Sequence, residues 1–423
     1  MNRRLISLCA LLAAVPAVAF ARPWPDSTAR IVVFADQLPE GLSGAQREFA
    51  ATRMAGTQKM RRSEIQSIRA YNTNFLCIHY QLALGNGPAA FIDGDAWTSD
   101  WWAVTTKSNW FMLNASTQRV HQTGWDWYVM NVTYSNGAAN TEYPNYWFTT
   151  CLARIRSAED DGVFADSFTV DGYGFGQCSP THAWLEDVDL CKSNWIPGLE
   201  AFGTFVRTNL EAEGSGYVFL PNLGGLITGW DPMNYGVGHG GMIECFCFWG
   251  SGSPFDVEDW RLQMGRAMSL ARSNKIVICQ SYCDTLDYTG RRFATAGHLL
   301  IKGSRTYLNL LTTGDVALEY YPEYTILLGA ASNSFPADLA GLWHQPWGVY
   351  RRTYSSGMAL VNPSGTTVRI NDLGGSCVRV QPLGGGAVDE EGNYGGSLSY
   401  AVVTSLTMAA YSGALLLYPG AQC

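Results

Sequence analysis

Eight short runs in the first three quarters of this chain are rich in β-branched and aromatic residues, and most are apolar without interruption. They are Ala29–Phe34, Asn74–Tyr80, Trp127–Val132, Gly162–Ser167, Tyr217–Pro221, Gly241–Phe248, Lys275–Ser281 and Arg305–Leu311. A strand with one wet face alternates apolar and polar residues, whereas a strand covered on both faces reads as continuous apolar sequence. Helical patterns separate the runs. After Asp256, which suits an N-cap, Val257, Trp260, Met264, Ala267, Met268 and Ala271 fall on one face. A second pattern runs from Pro197 through Leu199, Phe202, Phe205, Val206 and Leu210, and a third covers Tyr146–Ala158. Strand–helix alternation repeated in this way predicts a (β/α)8 barrel, with a doubly wound sheet as the competing architecture.

Two of the runs stop on a carboxylate. In "DDGVFADSFTVDGYG" the stretch Val163-Phe164-Ala165 ends at Asp166, and in "GGMIECFCFWG" Met242-Ile243 lead into Glu244. Desolvating a charge costs several kcal/mol unless something pairs or uses it. The C-terminal ends of barrel strands are where such a fold collects its chemistry. Counted along the chain, these two runs are the fourth and the sixth, close enough across a barrel mouth to hold one sugar between their acids. A facing carboxylate pair is the equipment for cleaving a glycosidic bond: one stays ionised and the other carries a proton. The bland alternative is a structural acid that pairs with arginine or caps a helix.

Other strand ends carry groups suited to sugar hydroxyls. Asp36 closes the first run in "VVFADQ", and Tyr80, Asn131, Asn222, Gln280 and Tyr282 end others. Asp171 competes with Asp166, five residues on, as a loop residue over the site. His79 lies inside an apolar run and reads as a core histidine. Of the loop tryptophans, which include Trp97, Trp101, Trp102, Trp110, Trp125, Trp127 and Trp230, most are expected to seal the barrel. Trp249, five residues past Glu244, and one of Trp101 or Trp125 are the candidates for stacking on a sugar face.

Rival chemistries find little support. No G-x-S-x-G elbow and no H-E-x-x-H segment is present, and the 6 histidines never fall at ligand spacing. Cys245-x-Cys247 is expected to place two sulfurs on one strand face, and Cys279 and Cys283 are near neighbours; packing or oxidation explains them better than metal binding. The acids of "DGDAWTSD" (residues 93–100) lack the EF-hand pattern and read as a surface turn. With no phosphate-cradling glycine loop, no cofactor is indicated.

The opening "MNRRLISLCALLAAVPAVAFARPWP" has a basic start at Arg3 and Arg4, an apolar stretch from Leu5 to Val18 and a small-x-small site at Ala19–Ala21. It reads as a signal peptide cleaved after Ala21, too short in its apolar part to serve as a membrane span. The expected location is therefore secreted or periplasmic. The net charge is −8 and grows two units more negative when Arg3 and Arg4 leave, which disfavours nucleic acid or an anionic membrane as partner. Export makes disulfides plausible, with Cys178–Cys191 and Cys377–Cys423 as the pairs that the sequence suggests.

From about Gly348 the texture changes to short strands separated by Ser-Ser-Gly and Pro-Ser-Gly turns. The expected organisation is a signal peptide over 1–21, the barrel over 22–345 and a small antiparallel β-sandwich over 346–423. The sandwich is expected to brace the barrel rather than to bind carbohydrate itself.

The segments "DDGVFADSF" around Asp166 and "GGMIECF" around Glu244, with the leader and the β-rich tail, resemble glycoside-hydrolase-like family 15 over roughly Ala29 to Gly420. That group comprises bacterial barrel enzymes within the broader α-galactosidase and galactosaminidase superfamily. The resemblance implies a (β/α)8 fold, with a nucleophile at Asp166 and an acid/base at Glu244. The relatives more often carry Asp on the sixth strand, so the longer Glu244 leaves the roles, and retention versus inversion, open. The expected activity is hydrolysis of a polysaccharide or oligosaccharide, a bacterial exopolysaccharide or cell-wall glycan with a lean towards α linkages. The alternative is a carbohydrate-binding protein on a barrel without catalysis.

Overall fold

The computed structural model describes residues 21–88, 100–113, 116–122, 127–135, 137–168, 189, 191–312 and 316–420. Eight parallel strands form one sheet: β1 (Val33–Gln37), β2 (Met54–Gln58), β3 (Leu76–Leu82), β4 (Gly162–Asp166), β5 (Val218–Pro221), β6 (Gly240–Ile243), β7 (Ile276–Tyr282) and β8 (Thr306–Leu311). Their order is β5-β4-β3-β2-β1-β8-β7-β6. The two ends of that path meet through a parallel bridge between Asn222 and Met242, and Leu223 N donates to Met242 O at 2.8 Å. The sheet therefore closes into a barrel. Among the described residues six helices of eight or more residues alternate with the strands: α1 (Gly44–Arg53), α2 (Arg62–Arg69), α3 (Glu142–Ala158), α4 (Ile196–Ala212), α5 (Val257–Arg272) and α6 (Tyr288–Ile301). Among the described residues, the stretch between β5 and β6 makes a 3₁₀ turn at Tyr235–Val237, and the stretch after β8 makes 3₁₀ turns at Pro322–Thr325 and Leu339–Leu342.

The continuous apolar runs have the cause expected of them. Along each strand alternate residues face opposite ways. Val32, Phe34, Leu76, Ile78, Tyr80, Phe164, Leu220, Ile276, Ile278 and Tyr307 fill the barrel interior. Their neighbours Val33, Cys77, Val163, Ala165, Phe219, Val277 and Cys279 pack outward under the helices. Trp24 closes the floor, stacked 5.2 Å from Phe34. The chain just before it is tied down by Asp161, whose Oδ1 accepts from Arg22 N at 2.8 Å and whose Oδ2 accepts from Arg69 at 2.9 Å.

Local signals explain the helix starts. Asp256 accepts from the backbone of Glu258 and Asp259 ahead of α5, and Ser43 and Gln46 make a reciprocal capping box ahead of α1. Pro197 lies in the first turn of α4, where its missing N–H is harmless.

Two strand assignments differ from the sequence reading. Trp127–Val129 is antiparallel, held between Gly85–Asn86 and His121–Gln122 in a three-stranded sheet outside the barrel. Its aromatic and β-branched content marks a strand but says nothing about which sheet takes it. The second barrel strand is instead Met54–Gln58, whose Ala-Gly-Thr-Gln carries little β signal. Gly56 is needed there, because a Cβ at this position would lie 2.5 Å from the Leu76 carbonyl oxygen. One run is lost from the count and one is gained, so Asp166 and Glu244 still stand at the ends of the fourth and sixth strands.

Beyond the barrel, β9 (Val349–Tyr354), β10 (Gly357–Asn362), β11 (Cys377–Val388), β12 (Tyr394–Val403) and β13 (Ser412–Leu417) form an antiparallel sheet. It also recruits Glu319–Tyr320 and Trp343–His344. Met358, Leu360, Ala414 and Leu416 face the outer core beneath the Val368–Ile370/Leu406–Met408 pair, while Ala359, Val361, Leu415 and Leu417 face the barrel. The sheet meets α6 closely enough that a Cβ on Gly413 would lie 2.3 Å from Arg292 O. Arg352 of β9 donates to the carbonyls of Leu299, Leu300 and Lys302 at the end of α6.

Candidate active site

At the C-terminal end of the barrel the inward positions turn from apolar to polar, and they do so together. One step above Phe34, Phe164, Leu220, Met242 and Ile278 come Asp36, Asp166, Asn222, Glu244 and Gln280. Tyr80 and Tyr282 join the same layer. Seven residues expected at the site from the sequence thus reach one rim.

Hydrogen bonds link most of this layer in strand order. Tyr80 Oη donates to Asp166 Oδ2 at 2.6 Å. Asn222 Nδ2 donates to Asp166 Oδ1 at 2.8 Å and to Glu244 Oε2 at 2.6 Å. Tyr282 Oη donates to Glu244 Oε1, and Gln280 Nε2 donates to Tyr282 Oη at 2.9 Å. Asn309 Nδ2 completes the series with a 3.4 Å contact to Gln280 Oε1. The donors run from β3 on one side and from β8 on the other, and converge on the two carboxylates. Ser167 N adds a third bond to Asp166, at 2.8 Å.

Asn222 reaches both acids because of where its backbone lies. Its N–H donates to Ala165 O of β4 at 2.9 Å, while its own bridge to Met242 closes the barrel onto β6. It directly follows β5, at the seam between the two acid-bearing strands. Its Oδ1 is held by Gly224 N at 3.0 Å, which fixes the amide with its nitrogen towards the acids.

The two acids differ in setting. Burial, and then the charge of Asp166, push the Glu244 carboxyl above its ordinary value, against the bonds from Tyr282 and Asn222. Burial and the charge of Asp166 hold the Tyr80 phenol well above the usual range, and burial and Glu244 do the same for Tyr282, so both stay hydroxyl donors. Cys245, next to Glu244, is pushed up to about 12 by burial and the Glu244 charge, which leaves it a thiol. Among the described residues no group of three His, Cys, Asp or Glu side chains is placed to hold a metal ion.

Backbone strain gathers here too. Lys59, Ser167 and Cys245 all have left-handed φ, at 61°, 56° and 58°. Each comes directly after a barrel strand or its terminal acid. Non-glycine residues in that region concentrate at functional sites and persist only when the surroundings impose them. The left-handed turns at Cys245 and Cys247 end β6 at Ile243, so these two sulfurs do not share the strand face expected for them.

Lys59 is a site residue that the sequence pattern does not announce. Its Nζ lies 3.1 Å from Asp36 and 5.2 Å from the Tyr80 ring centroid, inside the mouth. Asn309, too, is absent from the sequence expectations. Asn131 holds its own loop, accepting from Thr133 N at 3.2 Å and Thr133 Oγ1 at 2.8 Å; since Trp127–Val129 is not a barrel strand, it does not stand at a barrel-strand end. Trp249 is 42% exposed in the loop after β6, with its ring edge-on to Phe255 at 5.0 Å. Trp101 stacks on Tyr128 at 5.2 Å. His79 is buried in the outer layer with Nδ1 3.6 Å from Asp160. Asp171, Trp97, Trp125, Cys178, Cys423 and the leader over 1–20 lie outside the described residues. Cys377 is a free thiol.

A family model described as hypothetical glycosyl hydrolase family 15 matches residues 69–358. The chain belongs to that family. The match begins at the end of α2 and runs through β9 into β10, so it contains Asp166, Glu244 and every site residue except Asp36 and Lys59. Family 15 membership makes this a carbohydrate-active protein and bears out the resemblance read from the Asp166 and Glu244 segments. No curated protein matches the chain. Among solved structures it is similar to the glycoside hydrolase domain of PelA from Pseudomonas aeruginosa, at a TM-score of 0.41 and 13% identity over 68% of this chain and 96% of that one. It is also similar to the α-amylase from Geobacillus thermoleovorans complexed with acarbose, at a TM-score of 0.38 and 9% identity over 92% of this chain and 99% of that one. The strand order and closure described above define the barrel independently of these overlaps.

Proposed function

We propose that this family 15 protein is an exported glycoside hydrolase that cleaves a polysaccharide or oligosaccharide with Asp166 as nucleophile and Glu244 as acid/base. One observation carries the reading: a single amide nitrogen, Asn222 Nδ2, is hydrogen-bonded to both carboxylates. The two oxygens are then no further apart than those bonds of 2.8 and 2.6 Å laid end to end. Retaining glycosidases place their carboxyls about 5–5.5 Å apart, whereas inverting ones need roughly 6.5–9.5 Å to admit a water. The short spacing supports retention.

The surroundings of Glu244 push it towards the protonated form, so it takes the donor role; Asp166, whose carboxylate accepts hydrogen bonds from Tyr80, Asn222 and Ser167, takes the nucleophilic one. A carboxylate oxygen of Asp166 attacks the anomeric carbon as its bond to the leaving oxygen breaks, and Glu244 transfers its proton to that oxygen. The ionised Glu244 then takes a proton from water as the water displaces Asp166 from the glycosyl ester. Both residues are restored and the sugar leaves with its anomeric configuration retained. Tyr80 and Tyr282 hold the two acids throughout, and the exposed face of Trp249 offers a platform for a neighbouring sugar.

The leader supports export. A bacterial exopolysaccharide or cell-wall glycan, with α linkages favoured by the family resemblance, is the substrate class proposed. The test is to incubate the purified protein with a panel of such glycans and to analyse products by mass. Shortened glycans are expected. Binding without cleavage would replace this reading with a carbohydrate-binding role, and neither binding nor cleavage across the panel would sink both.

A further inference from the structure

Opposite the acids, the barrel mouth holds an ion pair that the mechanism leaves unused. In the ring of eight strands β1 stands four places from β5 in either direction, so Asp36 of β1 faces the gap between Asp166 and Glu244 across the mouth. Lys59, directly after β2, lies beside it. The Asp36 carboxylate accepts from Gln58 and Lys59, and Asp36 is the hydrogen-bonding partner of the Lys59 ammonium among the described residues. An ammonium has three donors, and a carboxylate about four acceptor positions, so both groups keep unused capacity.

A bracing role accounts poorly for this pair. The first two strands are already joined by their own backbone ladder, and that ladder loses register at the level of Asp36, between Phe34 and Gln37. Lys59 reaches the mouth only by taking up a left-handed backbone, at φ 61°. A buried ion pair seldom adds stability over apolar packing. Here it comes with local distortion as well, which points to use by a ligand. Burial pulls the Lys59 ammonium towards neutrality, but Asp36, Asp166 and Glu244 together outweigh it and keep the group charged.

We propose that Asp36 and Lys59 clamp two neighbouring free hydroxyls on the far edge of the same pyranose whose anomeric carbon lies between Asp166 and Glu244. The inference rests on the glycosidase reading and deepens it by naming a substrate feature. In a pyranose ring C4 lies directly across from the anomeric carbon, and C3 is its hydroxyl-bearing ring neighbour. With C1 at the acids, the hydroxyls on C3 and C4 face β1 and β2. A carboxylate beside an ammonium complements such a diol, since one accepts and the other donates. The Tyr80 ring, beneath the ammonium, continues the wall of the same pocket. The ligand class is therefore a pyranose unsubstituted at O3 and O4, either a chain end or a residue linked through other positions.

The test uses the whole mature protein and methyl pyranosides of glucose, galactose, mannose and their N-acetylamino forms, with affinities read by saturation-transfer NMR titration. Those that bind are compared with their 3-deoxy and 4-deoxy counterparts against wild type, Lys59→Met and Asp36→Asn. A charge-assisted hydrogen bond is worth about 10–100-fold in affinity. The expected result is that each variant weakens the parent pyranoside by about that factor, that each deoxy sugar loses a similar factor against wild type, and that the penalty for one deoxy sugar disappears against Lys59→Met and the penalty for the other against Asp36→Asn. Thermal melting of both variants verifies folding. Penalties for both deoxy sugars that stay undiminished in a folded Lys59→Met protein overturn the clamp while leaving the hydrolase intact. No pyranoside binding together with no glycan cleavage overturns the clamp along with the reading beneath it.

Discussion

The side-chain nitrogen of Asn222 lies 2.6 Å from Oε2 of Glu244. The same nitrogen bonds Asp166, so one amide sets the separation of the two acids. Asn222→Ala removes that tie without changing the charge of the site. It is expected to lower kcat/KM by about 100-fold, the scale of losing one preorganised donor at a reacting centre. Steady-state kinetics alongside circular dichroism measures this. A loss smaller than about threefold in a folded variant would take Asn222 out of the account.

Tyr282→Phe tests the electrostatic side. Glu244 must hold its proton to act as acid, and activity falls as the pH rises through its pKa. The Tyr282 hydroxyl favours the ionised form, opposing burial and the Asp166 charge. Its removal raises the Glu244 pKa further, so the basic limb of the kcat/KM–pH profile is expected to move to higher pH, with kcat/KM at the optimum roughly tenfold lower. A basic limb that stays in place or moves down contradicts the acid role of Glu244.

The legible part of the site follows from period-two geometry. Once Ile278 is inside, so are Gln280 and Tyr282; once Phe164 is inside, so is Asp166. The same rule applied to Tyr307 gives Asn309. Lys59 was not accessible this way. Its strand carries Ala55, Gly56 and Thr57 in place of bulky β-formers, and its side chain enters the mouth through a left-handed turn that no local pattern announces. The misplaced Trp127–Val129 strand has a related cause, since β content cannot distinguish a barrel strand from an antiparallel excursion between β3 and α3.

The junction between barrel and β-sheet domain depends on Arg352. Its guanidinium accepts no substitute easily, because it donates to three carbonyls at the end of α6, at 3.4, 3.0 and 2.7 Å, and lies 4.2 Å over the Phe335 ring. Arg352→Met leaves those buried acceptors without partners. A loss of about 2–4 kcal/mol in urea unfolding is expected, with activity per folded molecule unchanged. A change below about 0.5 kcal/mol contradicts the capping role.

His298, buried in α6, has no hydrogen-bond partner at either ring nitrogen among the described residues. Burial first, and then the charges of Lys302 and Arg352, lower its pKa to about 3. An unfolded imidazole titrates near 6.5. Below that pH the unfolded chain binds a proton that the native state refuses, so the stability contributed by this group is lost as the pH falls from about 6.5 towards 3. The slope is at most about 1.4 kcal/mol per pH unit. His239, lowered to about 4 mainly by burial, acts in the same direction. His298→Leu is expected to make the stability–pH curve shallower by one proton over that window, as read from denaturation midpoints at several pH values. An unchanged slope would show that His298 does not remain neutral in the native state.

The most direct measurement is kcat/KM for Asp166→Asn and Glu244→Gln on whichever glycan the wild-type protein cleaves, with folding verified by thermal melting. Both substitutions keep side-chain size and remove one titratable group. A shared catalytic pair predicts a fall of at least about 1000-fold in each. Either variant turning over within about tenfold of wild type would contradict it.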